Sequence, residues 1–591
     1  MSGSAVTPSG NVSAAYIDMA TYDQLEKYMY GGCYAVTPFV REVTKSTWFS
    51  LIPTRLTTTG GTVDFGQEFS ANISRAGDYM TQNWFRATIP AVSYSDLYNA
   101  DRALFDTALQ LAFTAWNPKT TSQGRALPAP AVALRWTRNL MHNLVKSCSI
   151  AFNDLVETQF TSTFLDFWSA FTVPKDKRQA YDTMIGNVAE LFDPLSLDSF
   201  QLGPTGTAAG TATITGTSAG TGVAAWNAEI HLGPNALGLT GVGLGINSIG
   251  VVTNMGANTT GILCGPLKGR YLPSRVLNLP LPLPHTRNTG VALPTAALPY
   301  NEMRIYFQLR DAYELLLADI YDASLPGNVA AFPGFTINVS QQAAANLHLN
   351  GHVWAEYAVV SNAERSRMGC HPRDILIEQQ QEAAKQTLSA AQSSVSQDLR
   401  YSHAVRAIFF GFKNTTLSSE HSNYTAAVPV PFPDGVNFSP YYATDPIEHT
   451  TLLYEGTTRM DSLSSDYYSL VNPFYHSDVV AEETGYHLYA YAVDIAAFDP
   501  CGSTNMGKLS NVSMVYNVSN AAQTTLASAA SNPTSAPMTR GRTPRLTTGS
   551  AFLPEDWYWG NAYQSQFEVK NVVVNHQIVR VSGGVLAFPV L

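Results

Sequence analysis

The sequence predicts an all-β protein built from β-sandwiches, and two observations lead to this prediction. Short segments alternate apolar and polar residues with a period of two, as in "TVDFGQEFSANIS" (62–74) and "NEMRIYFQLRD" (301–311). Such alternation is typical of strands with one buried face. Turn signals rich in Pro, Gly and Asn separate these segments, and long helical periods are few, which favours packed antiparallel sheets. The predicted core face of the second segment consists of Met303, Ile305, Phe307 and Leu309.

The composition is that of a folded protein with an unusually uncharged surface. The chain has 591 residues, enough for two to four domains, and 45% of them are hydrophobic. Only 14% are charged, against roughly 25% in typical soluble domains. Many Tyr, Thr, Asn and Ser side chains on such a chain indicate a surface that meets other protein. The net charge of −10 and the lack of a basic run argue against direct binding of nucleic acid.

The cysteines and the N-terminal residues indicate in which kind of compartment the chain is made. The five cysteines are widely spaced and form no C-x-x-C pair, which argues against a disulfide framework and a zinc ribbon. The opening "MSGSAVTPSG" has no charged and apolar leader pattern, so no signal peptide is predicted. The uncharged stretch 232–267 is interrupted by Gly, Asn, Thr and Pro and falls short of a membrane span. We therefore expect synthesis in a reducing compartment.

An N-terminal arm is predicted at residues 1–35. Within it "AYIDMATYDQLEKYMYGG" (15–32) reads as one short helix, with Thr21 and Gln24 as a capping box. The apolar stripe of this helix needs a surface to cover it, either on its own domain or on a neighbouring subunit. Its residues are candidate assembly contacts: Leu25, Tyr28 and Met29.

Two low-complexity segments interrupt the strand patterns. Residues 203–262 are dominated by Gly, Thr and Ala, and residues 520–548 by Ser, Ala, Thr and Pro. Neither has the bulky side chains of an independent core, and strand patterns resume after each, so both are predicted to be inserted surface loops. The predicted order is a first domain at 36–315 with insertions at about 93–130 and 203–262, a linker at 316–340, and a second domain at 341–591 with an insertion at about 520–548.

The segment "FDPCGSTNMGKLSNVSM" (498–514) contains the spacing of a phosphate-binding loop. Gly502, Gly507 and Lys508 match G-x-x-x-x-G-K, but Leu509 stands where a magnesium-binding Ser or Thr is required. A strand pattern follows instead of a helix. A polar turn between two strands is therefore the prediction, and a nucleotide hydrolase using Lys508 is a weaker alternative.

Other possible chemical sites are weak. His348 and His352 have the spacing of a zinc pair, but a turn signal lies between them. Cys370 and His371 are adjacent, and neighbours in the chain rarely converge as nucleophile and base. The pair Glu482–Glu483 is predicted to be a solvated loop feature. The sequence thus predicts no catalytic residue, no metal ligand and no cofactor, and therefore no enzyme.

One aromatic stretch, "PEDWYWGNAY" (554–563), leaves an alternative open. β-Sandwiches also serve as lectin scaffolds, so a carbohydrate-binding protein for surface attachment is the second functional hypothesis. Interface or core packing is the preferred interpretation of its three aromatic residues, which join the candidate assembly contacts: Trp557, Tyr558 and Trp559.

Ten ordered blocks resemble one known family. They are "IDMATYDQLEKYMYGG", "TPFVRE", "SRAGDY", "RNLMHNLVKSCSIAFND", "LDFWSAFTVP", "LNLPLPLPH", "GVALPTAALPYNEMRI", "RDILIEQ", "VNPFYHS" and "DPCGSTNMGKLSNVS". In this order they are similar to the iridovirus-type major capsid proteins of nucleocytoplasmic large DNA viruses. The similarity runs from about Ala15 to the last strands, apart from the insertions.

The resemblance implies a fold and a role. It implies two consecutive eight-stranded jelly-roll β-sandwiches with short decorating helices and long inserted loops. Three chains would form a pseudo-hexagonal homotrimer, and many trimers would tile an icosahedral capsid assembled in the host cytoplasm. Implied partners are neighbouring capsomers, minor capsid and penton proteins, and an internal membrane reached through other proteins. We expect residues 203–262 to project outward and the N-terminal arm to contact the inner side.

Overall fold

A computed structural model describes most of the chain. The described residues are 8–30, 32, 35–41, 43, 45–107, 130–153, 155–192, 245–246, 252–253, 271–322, 335–388, 392–426, 445–520, 522–523 and 566–588. The chain divides into two compact units, Met1–Trp48 and Phe49–Leu591. Among the described residues, no helix is long and apolar enough to cross a membrane.

The second unit is built around β-strands. They are β1 (Phe49–Arg55), β2 (Thr57–Thr59), β3 (Glu68–Asn72), β4 (Tyr79–Ile89), β5 (Val92–Ser93), β6 (Pro130–Trp136), β7 (Val145–Phe152), β8 (Leu155–Thr161), β9 (Gly245–Ile246), β10 (Val252–Thr253), β11 (Tyr271–Leu272), β12 (Arg275–Pro280), β13 (Met303–Leu309), β14 (Leu316–Asp322), β15 (Phe335–Asn338), β16 (Asn350–Val360), β17 (Arg373–Glu382), β18 (Gln386–Thr387), β19 (Ser394–Asp398), β20 (Ala404–Asn414), β21 (Ile447–Tyr454), β22 (Thr457–Ser464), β23 (His487–Ala490), β24 (Thr504–Asn505), β25 (Val512–Val518), β26 (Phe567–Ser582) and β27 (Val585–Ala587).

Helices are short and lie between strands or before them. They are α1 (Pro8–Ala20), α2 (Gln24–Met29), α3 (Tyr94–Ala100), α4 (Leu140–Leu144), α5 (Ser162–Thr172), α6 (Lys175–Ile185), α7 (Ala189–Phe192), α8 (Gln341–Ala344), α9 (Asn362–Cys370) and α10 (Asn472–His476). A π-helical turn, Tyr467–Val471, runs directly into α10.

The first sandwich (residues 49–360) is formed by antiparallel sheets of order β1-β16-β4-β12 and β2-β3-β13-β7-β8, with β15-β14-β6 beside them. The predicted alternation in β13 is confirmed, because Met303, Ile305, Phe307 and Leu309 are all buried. Phe307 stacks on Phe69 of the same sheet with 4.9 Å between ring centroids, and Phe85 of the facing sheet lies 5.5 Å from Phe307 and 6.0 Å from Phe69. Alternating side chains from facing sheets thus fill one core.

The second sandwich (residues 373–587) pairs a sheet of order β17-β26-β20-β23 with one of order β19-β25-β21-β22. Its core is rich in aromatic residues. Phe410 packs edge-on against Tyr468 at 5.2 Å, and Tyr516 lies 5.6 Å from Phe410. These rings are fully buried, so the two sheets enclose an apolar layer of their own.

Two strands, β14 and β15, lie within residues 316–340, where the sequence predicted a linker. Residues Leu316–Asp322 form β14, which pairs with β6 and β15, and Leu316 and Ile320 are buried. Strand β16 then pairs with β1 and β4 of the first sandwich. Among the described strands, the change of sandwich falls between β16 and β17, where α9 lies. By their pairing, β14, β15 and β16 therefore belong to the first sandwich.

The predicted single helix at 15–32 is wrong, because the structure has two helices there. Thr21 Oγ1 donates to the Asp18 carbonyl at 2.6 Å, beside the end of α1. Asp23, and not Thr21, is the N-cap of α2, and the Glu26 carboxylate accepts from the Asp23 backbone N–H at 3.2 Å. An Asp followed three residues later by a Glu is the stronger helix start, so the chain restarts the helix at this point.

Candidate functional site: the sandwich junction and assembly surfaces

Buried ion pairs join the two sandwiches. Arg138 forms a bidentate pair with Glu483, with N–O distances of 2.9 and 2.5 Å. Arg135 Nη1 lies 2.6 Å from Glu420 Oε2, and its Nε lies 2.9 Å from Asp319 Oδ2. Arg135 lies in β6 of the first sandwich and Arg138 comes two residues after this strand, while Glu420 and Glu483 belong to the second sandwich. The two sandwiches are therefore held by charge-assisted hydrogen bonds as well as by apolar packing.

A third ion-pair group lies at the same junction. Arg287 of the first sandwich donates from Nε to Glu378 Oε2 at 2.6 Å, and Arg406 pairs with the other oxygen. Glu378 and Arg406 are buried, and Arg406 also donates to backbone carbonyls at 494, 495 and 497. Removing Glu378 would leave two arginine side chains without their carboxylate partner.

Asp166 on α5 collects hydrogen bonds from both sandwiches. His142 Nδ1 lies 2.8 Å from Asp166 Oδ1, while Ser422 Oγ and Tyr424 Oη donate to Oδ2 at 2.6 and 3.2 Å. Burial raises the pKa of Asp166, but the hydrogen bonds and charge of His142, together with Ser422, lower it overall. The carboxylate is thus kept ionised inside the junction.

Serine, histidine and aspartate occur together at Asp166 without forming a catalytic triad. In a triad the serine hydroxyl is hydrogen-bonded to the histidine, which removes its proton. Here Ser422 and His142 both bind Asp166, and His142 Nε2 faces Tyr181 Oη at 2.8 Å. The geometry supplies a structural network and no activated nucleophile.

A second such group lies at the edge of the second sandwich. Ser465 Oγ and Asp445 Oδ2 both lie 2.8 Å from His487 Nε2. In a triad the carboxylate instead holds the opposite ring nitrogen, which leaves Nε2 for the serine. This group also fixes local structure, and sequence reasoning missed it because its members are far apart in the chain.

The phosphate-loop spacing forms a turn. Residues Thr504–Asn505 are a short strand, Met506–Lys508 a single 3-10 turn, and Val512–Val518 a strand. Lys508 is exposed, and Asn505 Oδ1 accepts from the Gly507 backbone N–H at 3.1 Å. No helix opens after Gly507, so the arrangement lacks the helix N-terminus on which phosphate would rest.

Other residues singled out by sequence do not converge on a site. His348 Nδ1 lies 2.8 Å from Asp64 Oδ2 at the surface, while His352 lies within β16 opposite Arg86. Cys370 is exposed at the end of α9. Among the described residues there is no group of three or more His, Cys, Asp or Glu side chains that could hold a metal ion.

The prediction that Glu482 and Glu483 form a solvated pair is wrong for Glu483. Glu482 is exposed, but Glu483 is partly buried and its carboxylate receives both Arg138 hydrogen bonds. The reason is non-local, since the arginine comes from 345 residues earlier in the chain.

The structure describes three of the six residues predicted as assembly contacts. Leu25, Tyr28 and Met29 are all exposed on α2, and Tyr28 is 91% exposed. Trp557, Tyr558 and Trp559 lie outside the described residues. The same is true of residues 203–262, apart from the paired strands β9 and β10, and of nearly all of 520–548.

An exposed apolar cluster lies on the second sandwich. Phe474 and Tyr475 on α10 are 70% and 72% exposed, and their rings pack edge to face at 5.3 Å. The preceding Leu470 and Val471 are exposed as well. Val493, which is 69% exposed, lies near the end of α10, because its carbonyl oxygen lies 3.1 Å from His476 Nδ1. We call these five residues the 470–475 patch, and contiguous apolar surface of this kind marks interaction sites.

The edge strand β1 is a further open surface. Among the strands that the structure describes, it pairs with β16 alone and lies at the end of its sheet. Phe49, Leu51 and Ile52 are exposed large apolar residues on this strand, and Pro53 lies in the middle of it. An apolar edge strand is a ready place for contact with other protein. Sequence reasoning noted neither this strand nor the 470–475 patch, although the run "LVNPFY" carries the signal of the latter.

Known proteins similar to this one are viral major capsid proteins, and the similarity extends over nearly the whole chain. The family described as large eukaryotic DNA virus major capsid protein matches residues 364–543, and the family described as major capsid protein N-terminus matches 37–202 and 266–358. The chain is 39% identical to the major capsid protein of Costelytra zealandica iridescent virus, covering 99% of both chains. It is 30% identical to that of Frog virus 3 over 100% of both.

Solved structures show the same fold. PBCV-1 VP54 has a TM-score of 0.55 at 16% identity, with 94% of this chain and 100% of that chain covered. The Faustovirus major capsid protein has a TM-score of 0.54 at 9% identity, with 97% of each chain covered. The two sandwiches are therefore the two jelly rolls of a viral capsid protein. The chain belongs to the major capsid proteins of large eukaryotic DNA viruses, of the iridovirus type, and is a structural component of the capsid.

Proposed function

We propose that three copies of this chain form a capsomer with a near-hexagonal outline, and that these capsomers tile an icosahedral shell. The observation that carries the proposal is that residues 49–591 form one compact unit containing two jelly rolls. Three such units in a closed ring present six similar blocks, which is the outline that a hexagonal lattice requires. The buried Arg138–Glu483 and Arg135–Glu420 pairs support a fixed relation between the two blocks.

The contacts between copies follow from the exposed apolar surfaces. The 470–475 patch and the β1 edge are the surfaces we assign to contacts between chains, since each would bury apolar area that a monomer leaves in water. The apolar stripe of α2 is assigned to contact with a neighbouring subunit on the inner side of the shell. Cross-linking from Cys33 in intact particles tests this last assignment, and labelling confined to the outer surface would contradict it.

Further partners belong to the same proposal. Capsomers would contact neighbouring capsomers, minor capsid proteins and penton proteins, and an internal membrane only through other proteins. Assembly would take place in the host cytoplasm. The net charge of −10 supports a shell that does not bind the genome directly.

The decisive experiment is the solution mass of the purified protein by light scattering, with negative-stain images of the same peak. A single species at about three times the chain mass, seen as hexagonal blocks, is the expected result. A chain that stays monomeric in the concentrated protein and in extracted capsid fragments would contradict the trimer. The carbohydrate-binding alternative rests on residues 554–563, which lie outside the described residues, and a negative glycan array would remove it.

A further inference from the structure

A basic cavity lies at the junction of the two sandwiches. Its volume is about 510 Å³, within the range of small-molecule sites. The first sandwich contributes Lys146, Arg310 and the start of α5, and the second contributes charged side chains from β20, β26 and their neighbours. The described lining consists of five Lys or Arg residues, three glutamates, five Ser or Thr residues, His421 and Leu417.

The cations in this cavity outnumber the carboxylates, and the carboxylates are already paired. Glu420 binds Arg135 outside the cavity at 2.6 Å. Glu382 and Glu568 lie 3.1 and 2.8 Å from Lys570 Nζ, and Glu568 also pairs with Lys385. Within the part of the chain that the structure describes, no carboxylate lies within 4.0 Å of the three remaining cations, Lys146, Arg310 and Lys413. In a chain of net charge −10, this cavity therefore carries an excess of cations, which Asp166, Glu314 and Glu568 offset only through charge interactions without forming an ion pair with these three cations.

Lys413 lies against His421 in this cavity. Its Nζ lies 3.1 Å from His421 Nδ1. Burial, together with the charges of Arg310 and Lys570, lowers the pKa of Lys413 to about 8. Burial and the neighbouring Lys413 and Arg310 also lower the pKa of His421 well below its ordinary value, so its ring is neutral at pH 7. A bound anion would relieve the repulsion between Lys413 and Arg310.

The N-terminus of α5 opens into the same cavity. Thr161 is the N-cap of this 11-residue helix, but its side chain makes no capping hydrogen bond and donates to Glu382 at 2.9 Å instead. The first turn holds no acidic residue. Arg310 Nη2 donates to Ser162 Oγ at 3.0 Å, which places the guanidinium beside the first helical residue. Free backbone N–H groups, the helix dipole and an arginine thus converge in one place, as in phosphate sites.

We propose that this cavity binds a small soluble anion that carries phosphate groups, held between the two sandwiches by Lys413, Arg310 and the N-terminus of α5. A compact, soluble occupant is favoured because Leu417 is the one apolar residue among the described lining residues, and the others offer charges and hydroxyl groups. Bound there, the anion contacts both sandwiches and stabilises their junction by mass action.

Calorimetric titration of the purified, assembled protein with inorganic pyrophosphate tests this inference. We expect one site per chain, with affinity that falls as salt is raised. Lys413→Met keeps the length of the side chain without its charge and should weaken binding at least about tenfold, while Lys413→Arg should retain most of it. The matched control is Lys508→Met, which removes the exposed lysine of the phosphate-loop-like turn and should leave binding unchanged.

Three results would overturn the proposal: no binding by the unaltered protein, equal affinity in Lys413→Met, or an equal loss in Lys508→Met. Light scattering and the melting temperature without pyrophosphate show whether each variant folds. If Lys413→Met does not fold, Lys146→Met at the exposed rim replaces it and should weaken binding by about threefold or more. Failure of these tests would leave the proposed capsomer untouched, because Lys413, Lys146 and Lys508 lie outside the 470–475 patch and β1.

Discussion

Arg138 and Glu483 are 345 residues apart in the chain, yet they form a bidentate ion pair inside the junction of the two sandwiches. The side chains are nearly inaccessible, at 3% and 9% exposure. The chain therefore closes its two jelly rolls onto each other through a contact that neither sandwich could form alone.

Breaking this pair should destabilise the protein strongly. We expect Glu483→Gln or Arg138→Met to lower the free energy of unfolding by about 3–5 kcal/mol, because the remaining group is left buried without its partner. Urea unfolding followed by tryptophan fluorescence measures the loss. The control is Asp374→Asn, which removes an exposed ion pair with Arg580 and should leave the unfolding midpoint unchanged. Equal effects at the two sites would contradict a structural role for the buried pair.

Glu157 should make the protein less stable as pH rises. Burial raises the pKa of Glu157 from 4.5 to about 8. The folded protein therefore holds this proton where the unfolded chain has lost it. The stability linked to this group is fully present below about pH 4.5 and is lost as pH rises through 8. Glu157→Gln should raise the melting temperature at pH 8.5 and change it little at pH 4.

The size of the pH effect follows from the shift, at about 1.4 kcal/mol for each pKa unit. The matched control is Glu448→Gln at an exposed position, which should show no such pH dependence. If the two variants have parallel melting curves between pH 4 and 8.5, Glu157 does not titrate as the structure indicates.

The 470–475 patch should matter for assembly and little for folding. Replacing Phe474 and Tyr475 by Ser should change stability by about 0.5 kcal/mol or less, because both side chains are exposed. The same double variant should reduce the trimer or shell fraction in light scattering. Tyr300→Ser, at an exposed tyrosine of the first sandwich, is the control. Full assembly by the Phe474/Tyr475 variant would remove the patch from the interface.

Gly485 should tolerate no side chain. Its φ is +94°, and a Cβ built there would lie 2.0 Å from the Tyr424 backbone carbonyl oxygen. Gly485→Ala should therefore cost about 3 kcal/mol or more, since neither backbone segment can move freely. Gly456 has a φ of +78° with no atom within 4 Å of such a Cβ. Gly456→Ala should cost only about 1 kcal/mol, and a similar cost at both positions would show that the close approach is absent.

Deletion of residues 203–262 should leave the capsomer intact. Between Phe192, which ends α7, and Tyr271, where β11 pairs with β5 inside the first sandwich, the structure describes β9 and β10 alone, and these two strands pair with each other. A short Gly-Ser linker in place of the segment should give the same number of subunits by light scattering. Loss of the trimer would show that these residues are part of the contact and do not form an outward projection.

Local pattern was sufficient for much of the fold. The two-residue period in 301–311 predicted the buried face of β13, and the structure confirms it. The sequence predicted a turn at 502–508, because Leu509 cannot bind magnesium and a strand pattern follows. The structure has a single 3-10 turn there, at Met506–Lys508. These features were predictable because they depend on residues a few positions apart, whose spacing decides which side chains share a face.

Other features depended on contacts that the sequence does not display. The break between α1 and α2 was not predicted, because Thr21 and Asp23 are both acceptable caps and only hydrogen-bond geometry shows that the helix restarts at Asp23. The 470–475 patch was missed because apolar residues in a helix are normally buried, and exposure is known only once the neighbouring elements are in place.

The sequence by itself determined the fold class, the family and the faces of the strands, because local periodicity and ordered motifs lie along the chain. Tertiary structure decided the end of the first sandwich at β16, the partner of Glu483 and the basic cavity around Lys413. Each of these arises where segments hundreds of residues apart meet. Such meetings are set by the packing of whole sheets, which no short stretch of sequence records.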